Sequence, residues 1–136
     1  MDRQFDNLVD SALSARSKAY APYSKFAVGA ALKCKSGGVF AGANIENRSL
    51  GLTICAERVA VAVAIAAGER DFLAIAVVAD SDEPIAPCGA CRQFLAEFAP
   101  ALVIVSGSVR GDREVENLAS LLSEPSRGIL TDADPS

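Results

Sequence analysis

Histidine does not occur in this 136-residue chain, so any metal centre or acid–base pair must be built from other side chains. Aromatic residues make up only 6% of the sequence against 51% hydrophobic residues overall. The interior therefore has to be filled by closely packed Ala, Val, Leu and Ile. No uninterrupted apolar stretch reaches the roughly eighteen residues of a membrane span; residues 59–67 are too short and too rich in alanine. Basic charge is scarce as well, with 13 Lys and Arg against 17 Asp and Glu for a formal net charge of −4. Nucleic-acid backbones need clustered positive charge, so the expected partner is a small molecule, not a nucleic acid or a membrane. The opening residues Met1-Asp2-Arg3-Gln4-Phe5-Asp6 lack the basic-then-apolar pattern of a secretory signal. The chain is expected in the reducing cytoplasm, with its cysteines as free thiols.

The length suits one domain, expected over residues 1–123, with 124–136 as a flexible tail because of their Pro, Ser and Asp content. Phe5, Leu8, Val9, Ala12, Leu13 and Ala19 recur at helical spacing and predict a helix over 3–20 that ends before Ala21-Pro22. Residues 26–33 and 39–43 flank Ser36-Gly37-Gly38 as a β-hairpin. Residues 54–67 are almost all Ala, Val and Ile before the stop at Gly68, which predicts a helix buried on every side. Only Glu57 and Arg58 interrupt it, and charges in such a setting need partners. A strand over 72–79, a loop over 80–84, a helix over 88–98, a strand over 101–105 and a short helix over 117–122 complete the pattern. This order predicts an α/β fold, a mixed sheet with helices on both faces in which strands 72–79 and 101–105 run parallel.

Two clusters carry the chemistry: Cys55-Ala56-Glu57-Arg58 and Pro87-Cys88-Gly89-Ala90-Cys91. Cys88 and Cys91, three apart at a helix start, can aim both sulfurs at one point, and Cys55 adds a third from a second helix start. The partial positive charge and free amides of helix N-termini favour the thiolate form. Three thiolates fill three of zinc's four tetrahedral positions, and with no histidine available the fourth falls to water. Glu57, two residues from a ligand, is the candidate for proton transfer. Arg58 is expected to hydrogen-bond a ligand sulfur and offset the negative charge that three thiolates leave on a divalent ion. Cys88-x-x-Cys91 alone also fits a redox dithiol or half of a structural zinc knuckle. Cys34, bracketed by Lys33 and Lys35, could close such a site, although a half-buried strand thiol is the plainer reading. A zinc-stabilised binding module without turnover thus stands beside the hydrolase.

Three further segments accompany these clusters: Tyr20-Ala21-Pro22-Tyr23-Ser24-Lys25-Phe26-Ala27-Val28-Gly29-Ala30-Ala31, Gly42-Ala43-Asn44-Ile45-Glu46-Asn47, and Cys88-Gly89-Ala90-Cys91-Arg92-Gln93. With Cys55-x-Glu57 they resemble the zinc nucleobase and nucleoside deaminase signature, and within it the short, homotetrameric class of cytidine deaminases, over about residues 5–122. The resemblance implies a three-layer α/β/α fold with a mixed five-stranded sheet, a homotetramer, and one Zn2+ per subunit on Cys55, Cys88 and Cys91. It implies hydrolysis of cytidine and deoxycytidine to uridine, deoxyuridine and ammonia in pyrimidine salvage. Zinc-bound hydroxide would attack C4 while Glu57 protonates N3 and then the departing amine. Asn44 and Glu46, alternating about Ile45 on an extended segment, would bind the ribose. Phe26 would pack against the base, and the backbone at Ala56 and Cys88 would read its amide edge.

Two positions depart from the family pattern. Leu50 stands where a tyrosine is usual, and the C-terminal Leu-Leu-Pro-x-x-Phe appears as Leu121-Leu122-Ser123-Glu124-Pro125-Ser126, with no aromatic beyond Phe98. These departures motivate a second enzyme reading, deamination of a related cytosine nucleoside such as a blasticidin-type antibiotic or a modified base.

Overall fold

A computed structural model of the chain describes residues 4–122. The elements are α1 (Asp6–Arg16), β1 (Val28–Cys34), β2 (Val39–Ala43), a 3-10 turn at Leu50–Leu52, α2 (Ala56–Ala66), β3 (Phe72–Ala79), α3 (Gly89–Ala96), β4 (Val103–Ser108), β5 (Arg113–Asn117) and α4 (Leu118–Leu121). The five strands lie in the order β2-β1-β3-β4-β5. β3 and β4 pair in parallel across the α3 connection, and every other neighbour is antiparallel. This is the mixed five-stranded sheet the resemblance implies.

Alternation along β1 divides the interior in two. Ala30, Leu32 and Cys34 join Ala60, Val61, Ala64, Ile75, Leu95 and Ile104 under α2, α3 and α4, whereas Ala31 faces Leu8 and Ala12 of α1 together with Ala74, Ala76, Val78 and Val105. Helices cover both faces, giving three layers. Small residues let them settle close to the sheet. A Cβ added at Gly42 of β2 would lie 2.7 Å from the Ala60 backbone nitrogen of α2, so the composition poor in aromatics is matched by helices seated almost on the strands. Three of the eight aromatics are pooled, with Phe98 packing its ring centroid 5.7 Å from Phe72 and 5.8 Å from Phe94.

Several boundaries differ from the sequence-based expectation. α1 stops at Arg16, not residue 20, because Tyr20 leaves the helix to donate its N–H to Asn44 O (2.9 Å) and to bridge Ile45. β1 begins at Val28, since the Asn44 side chain takes up the Phe26 carbonyl and the Val28 amide. β5 has no counterpart in the residue patterns. It carries Val115 as its one apolar side chain, and that residue is half exposed on an edge strand. The helix expected to be buried on every side is buried on one: Ala56, Ala60, Val61 and Ala64 face the sheet, while Ala62, Val63 and Ala66 are exposed. Among the described residues nothing covers that outer face. The expected tail, 124–136, lies outside the described residues. Among the described residues no helix is long and apolar enough to cross a membrane.

Candidate metal centre

The two cysteine clusters meet at the openings of two helices. Cys55 is the N-cap of α2 and Cys88 the N-cap of α3, with Cys91 one turn into α3. Cys55 is delivered there by a short backbone bridge, in which Ile54 and Ile45 exchange two N–H to carbonyl bonds of 2.9 Å. The sulfurs of Cys55, Cys88 and Cys91 all lie within 4.8 Å of one another. Zn–S bonds of about 2.3 Å in a tetrahedron place sulfurs about 3.8 Å apart, so the triad needs little adjustment to hold one zinc ion. Soft thiolate donors also suit that metal.

The electrostatics fit a cation as well. The Cys91 N–H points at Cys88 Sγ (3.5 Å), as expected of a sulfur capping a helix. Arg58 Nη2 donates to Thr53 O at 3.1 Å and lies 3.8 Å from Cys55 Sγ. A hydrogen bond from Cys91, followed by the Arg58 guanidinium, lowers the Cys55 thiol to about 5 despite its burial. Cys91, hydrogen-bonded to Cys55, buried and facing the Glu57 carboxylate, is pushed well above the usual thiol range. A divalent ion held by the three sulfurs would replace their protons and satisfy all three. Glu57 is only 5% exposed. Burial raises its carboxyl, and the neighbouring Cys55 thiolate adds to the rise, a setting that suits a group alternating between proton acceptor and donor.

Cys34 takes no part. It is completely buried in the core beneath α2, more deeply than expected, and desolvation raises its thiol. Among the described residues no fourth His, Cys, Asp or Glu joins the triad.

The residues assigned to the nucleoside form a second group, attached to the first by the Ile45–Ile54 bridge. Asn44 is 8% exposed and its amide is engaged at both ends: Oδ1 accepts from Val28 N (3.0 Å) and Nδ2 donates to Phe26 O (2.9 Å). Glu46 accepts from the Tyr23 and Ser24 amides at 2.9 and 3.2 Å and from the Ser24 hydroxyl. Phe26 is half buried, Ala56 fully buried, and Ile45 exposed at the surface beside them. Leu50, the departure from the family pattern, is 83% exposed. A groove of ≈ 460 Å³ between α1 and β2 is lined by none of the predicted site residues.

Sequence reasoning missed two contributors, Thr53 and Ser24, which act through a carbonyl and a hydroxyl that no spacing reveals. Arg92, read from the sequence as structural and not catalytic, joins Pro87 O (2.8 Å), beside a cysteine of the triad, to Leu121 O (3.1 Å) of α4.

Residues 2–106 match the family model for the cytidine and deoxycytidylate deaminase zinc-binding region. The cytidine deaminase of Halalkalibacterium halodurans is 53% identical over 123 residues, 90% of this chain and 92% of that protein. A crystal structure of cytidine deaminase from Burkholderia pseudomallei matches with a TM-score of 0.85 and 51% identity, over 88% of this chain and 96% of the other. The blasticidin-S deaminase of Bacillus cereus is more distant, 35% identical over 85 residues, 57% of this chain and 61% of that protein. The chain belongs to the cytidine and deoxycytidylate deaminase family of zinc-dependent hydrolases.

Proposed function

We propose that this protein deaminates cytidine and deoxycytidine to uridine and deoxyuridine with release of ammonia, and that residues 1–123 form the single domain that does so. Three sulfurs converging within 4.8 Å beside a buried carboxylate carry this reading. Cys55, Cys88 and Cys91 would hold the zinc ion, which would supply a water activated as a nucleophile at neutral pH. Glu57 would take one proton from that water and deliver it to N3, then take the remaining proton from the hydroxyl on C4 and deliver it to the amine as the C4–N bond breaks and the carbonyl forms. Arg58 offsets the negative charge of the three thiolates through its contact with Cys55. Glu46 and Asn44 orient the ribose, Ile45 and Phe26 pack about the nucleoside, and the backbone at Ala56 and Cys88 reads the base.

The active form is a homotetramer acting in the cytoplasm. Support for assembly comes from the outer face of α2, where Ala62, Val63 and Ala66 are exposed, and from the exposed Leu50 and Leu52 nearby in sequence. Leu50, in place of the usual tyrosine, also favours keeping a modified cytosine nucleoside as a second substrate reading.

Metal analysis with an absorbance assay for uridine and an ammonia assay tests the proposal. Wild type should carry about one zinc per chain and convert cytidine. Glu57→Gln should keep its zinc and lose about 10²- to 10⁴-fold in kcat, the usual contribution of a general acid–base group. Full activity in that variant would remove Glu57 from the chemistry. Turnover of a blasticidin-type nucleoside without turnover of cytidine would replace the substrate.

A further inference from the structure

Ser24 lies in the turn between α1 and β1, outside the residues assigned to metal, proton transfer or nucleoside. Its hydroxyl is saturated in both directions. The proton goes to Glu46 Oε2, and the oxygen accepts the Phe26 N–H at 3.0 Å. The other Glu46 oxygen takes the Tyr23 and Ser24 amides. Three donors thus fix a carboxylate that is otherwise partly open to solvent, with lone pairs to spare for a further donor such as a sugar hydroxyl.

The turn needs this fastening. Lys25 has φ of 60°, left-handed backbone that a lysine adopts at a cost. Phe26 is then held at both ends of its peptide unit, by Ser24 at the N–H and by Asn44 Nδ2 at the carbonyl. The same serine bond is the first cause of the low position of the Glu46 carboxyl, which keeps it charged.

We propose that Ser24 is a positioning residue for the nucleoside: its hydroxyl joins the Glu46 carboxylate and the Phe26 backbone into one unit that meets sugar and base together. This rests on the reading that Glu46 and Phe26 contact the nucleoside. Ser24 touches no reacting atom, so its removal should appear in KM and leave kcat nearly intact.

Steady-state kinetics on the zinc-loaded enzyme provide the test. Ser24→Ala should raise KM for cytidine about tenfold, the loss of one charge-assisted hydrogen bond, with zinc content unchanged and kcat within about twofold. Ser24→Thr, which keeps a hydroxyl, should restore most of the loss. Glu46→Ala should raise KM at least as much, and adding Ser24→Ala to it should change KM little further, because both act through one contact. If Glu46→Ala raises KM while Ser24→Ala leaves it unchanged, or if the two effects multiply in the double variant, the role of Ser24 is overturned and the site reading stands. If Glu46→Ala itself leaves KM unchanged, the nucleoside reading falls and this inference with it.

Discussion

Gly42→Ala is a small change at a place where two elements touch. The added methyl would sit 2.7 Å from the Ala60 backbone nitrogen and 2.8 and 2.9 Å from the Val59 Cγ1 and Cβ. The nearest atom is backbone, so no rotamer change relieves it, and α2 must lift from β2 or the strand must bend. Overpacking of this kind costs about 1–3 kcal/mol, which for a domain of this size lowers Tm by about 3–12 °C. The effect should reach the metal, because Cys55 caps the N-terminus of α2 and Glu57 and Arg58 lie in its first turn. Thermal melting of apo and zinc-loaded protein, with a chelator competition on each, measures both consequences. Gly89→Ala is the control: it lies in α3 beside Cys88, its added methyl meets nothing within 4 Å, and its melting temperature should not fall. A Gly42→Ala protein that melts within about 1 °C of wild type, well under the shift expected for even 1 kcal/mol, would refute the claim that α2 is seated on the sheet through that glycine.

Arg58→Gln removes the guanidinium that links Thr53 O to Cys55 Sγ; zinc affinity by chelator competition should drop about 10- to 100-fold, as for other lost supports of metal ligands, and unchanged affinity would assign Arg58 to packing alone. Val63→Asp puts a charge on the exposed outer face of α2, where burial in an assembly would leave it unpaired. If the proposed homotetramer packs through that face, light scattering should show a smaller particle than wild type with helical content retained, and an unaltered particle size would place any subunit contacts elsewhere.

The metal half of the site was readable because its spacing is its geometry. Cys88 and Cys91 are brought together by a single helical turn, and Cys55-x-Glu57-Arg58 is ordered by the first turn of another. The continuous apolar run over 72–79 became β3 with the same bounds, since a central strand covered on both faces has no other solution. Elements fixed by distant partners were not readable. β5 alternates nothing apolar but Val115 and exists because the edge of β4 accepts it. The late start of β1 is set by the Asn44 side chain sixteen residues on, whose amide joins the Val28 N–H and the Phe26 carbonyl and keeps a second Nδ2 hydrogen for a further acceptor. The outer face of α2 misled for a related reason: hydrophobicity alone does not say what covers a helix, and the described residues cover only one side of it.

The lack of histidine gives Arg58 and the two helix openings a common cause. A neutral imidazole adds no charge to a zinc site, whereas a third thiolate leaves the ion and its ligands with one negative unit. That excess has to be offset nearby or the metal loses acidity toward its water. The positive sources present are the ones such a balance requires: the guanidinium against Cys55 Sγ, and the N-termini of α2 and α3, capped by Cys55 and Cys88. This chain places the three cysteines of its triad at helix starts. The alanine-rich helices and the glycine beneath α2 serve the same end, because they let that helix start reach the sheet edge where Asn44 and Glu46 follow directly from β2.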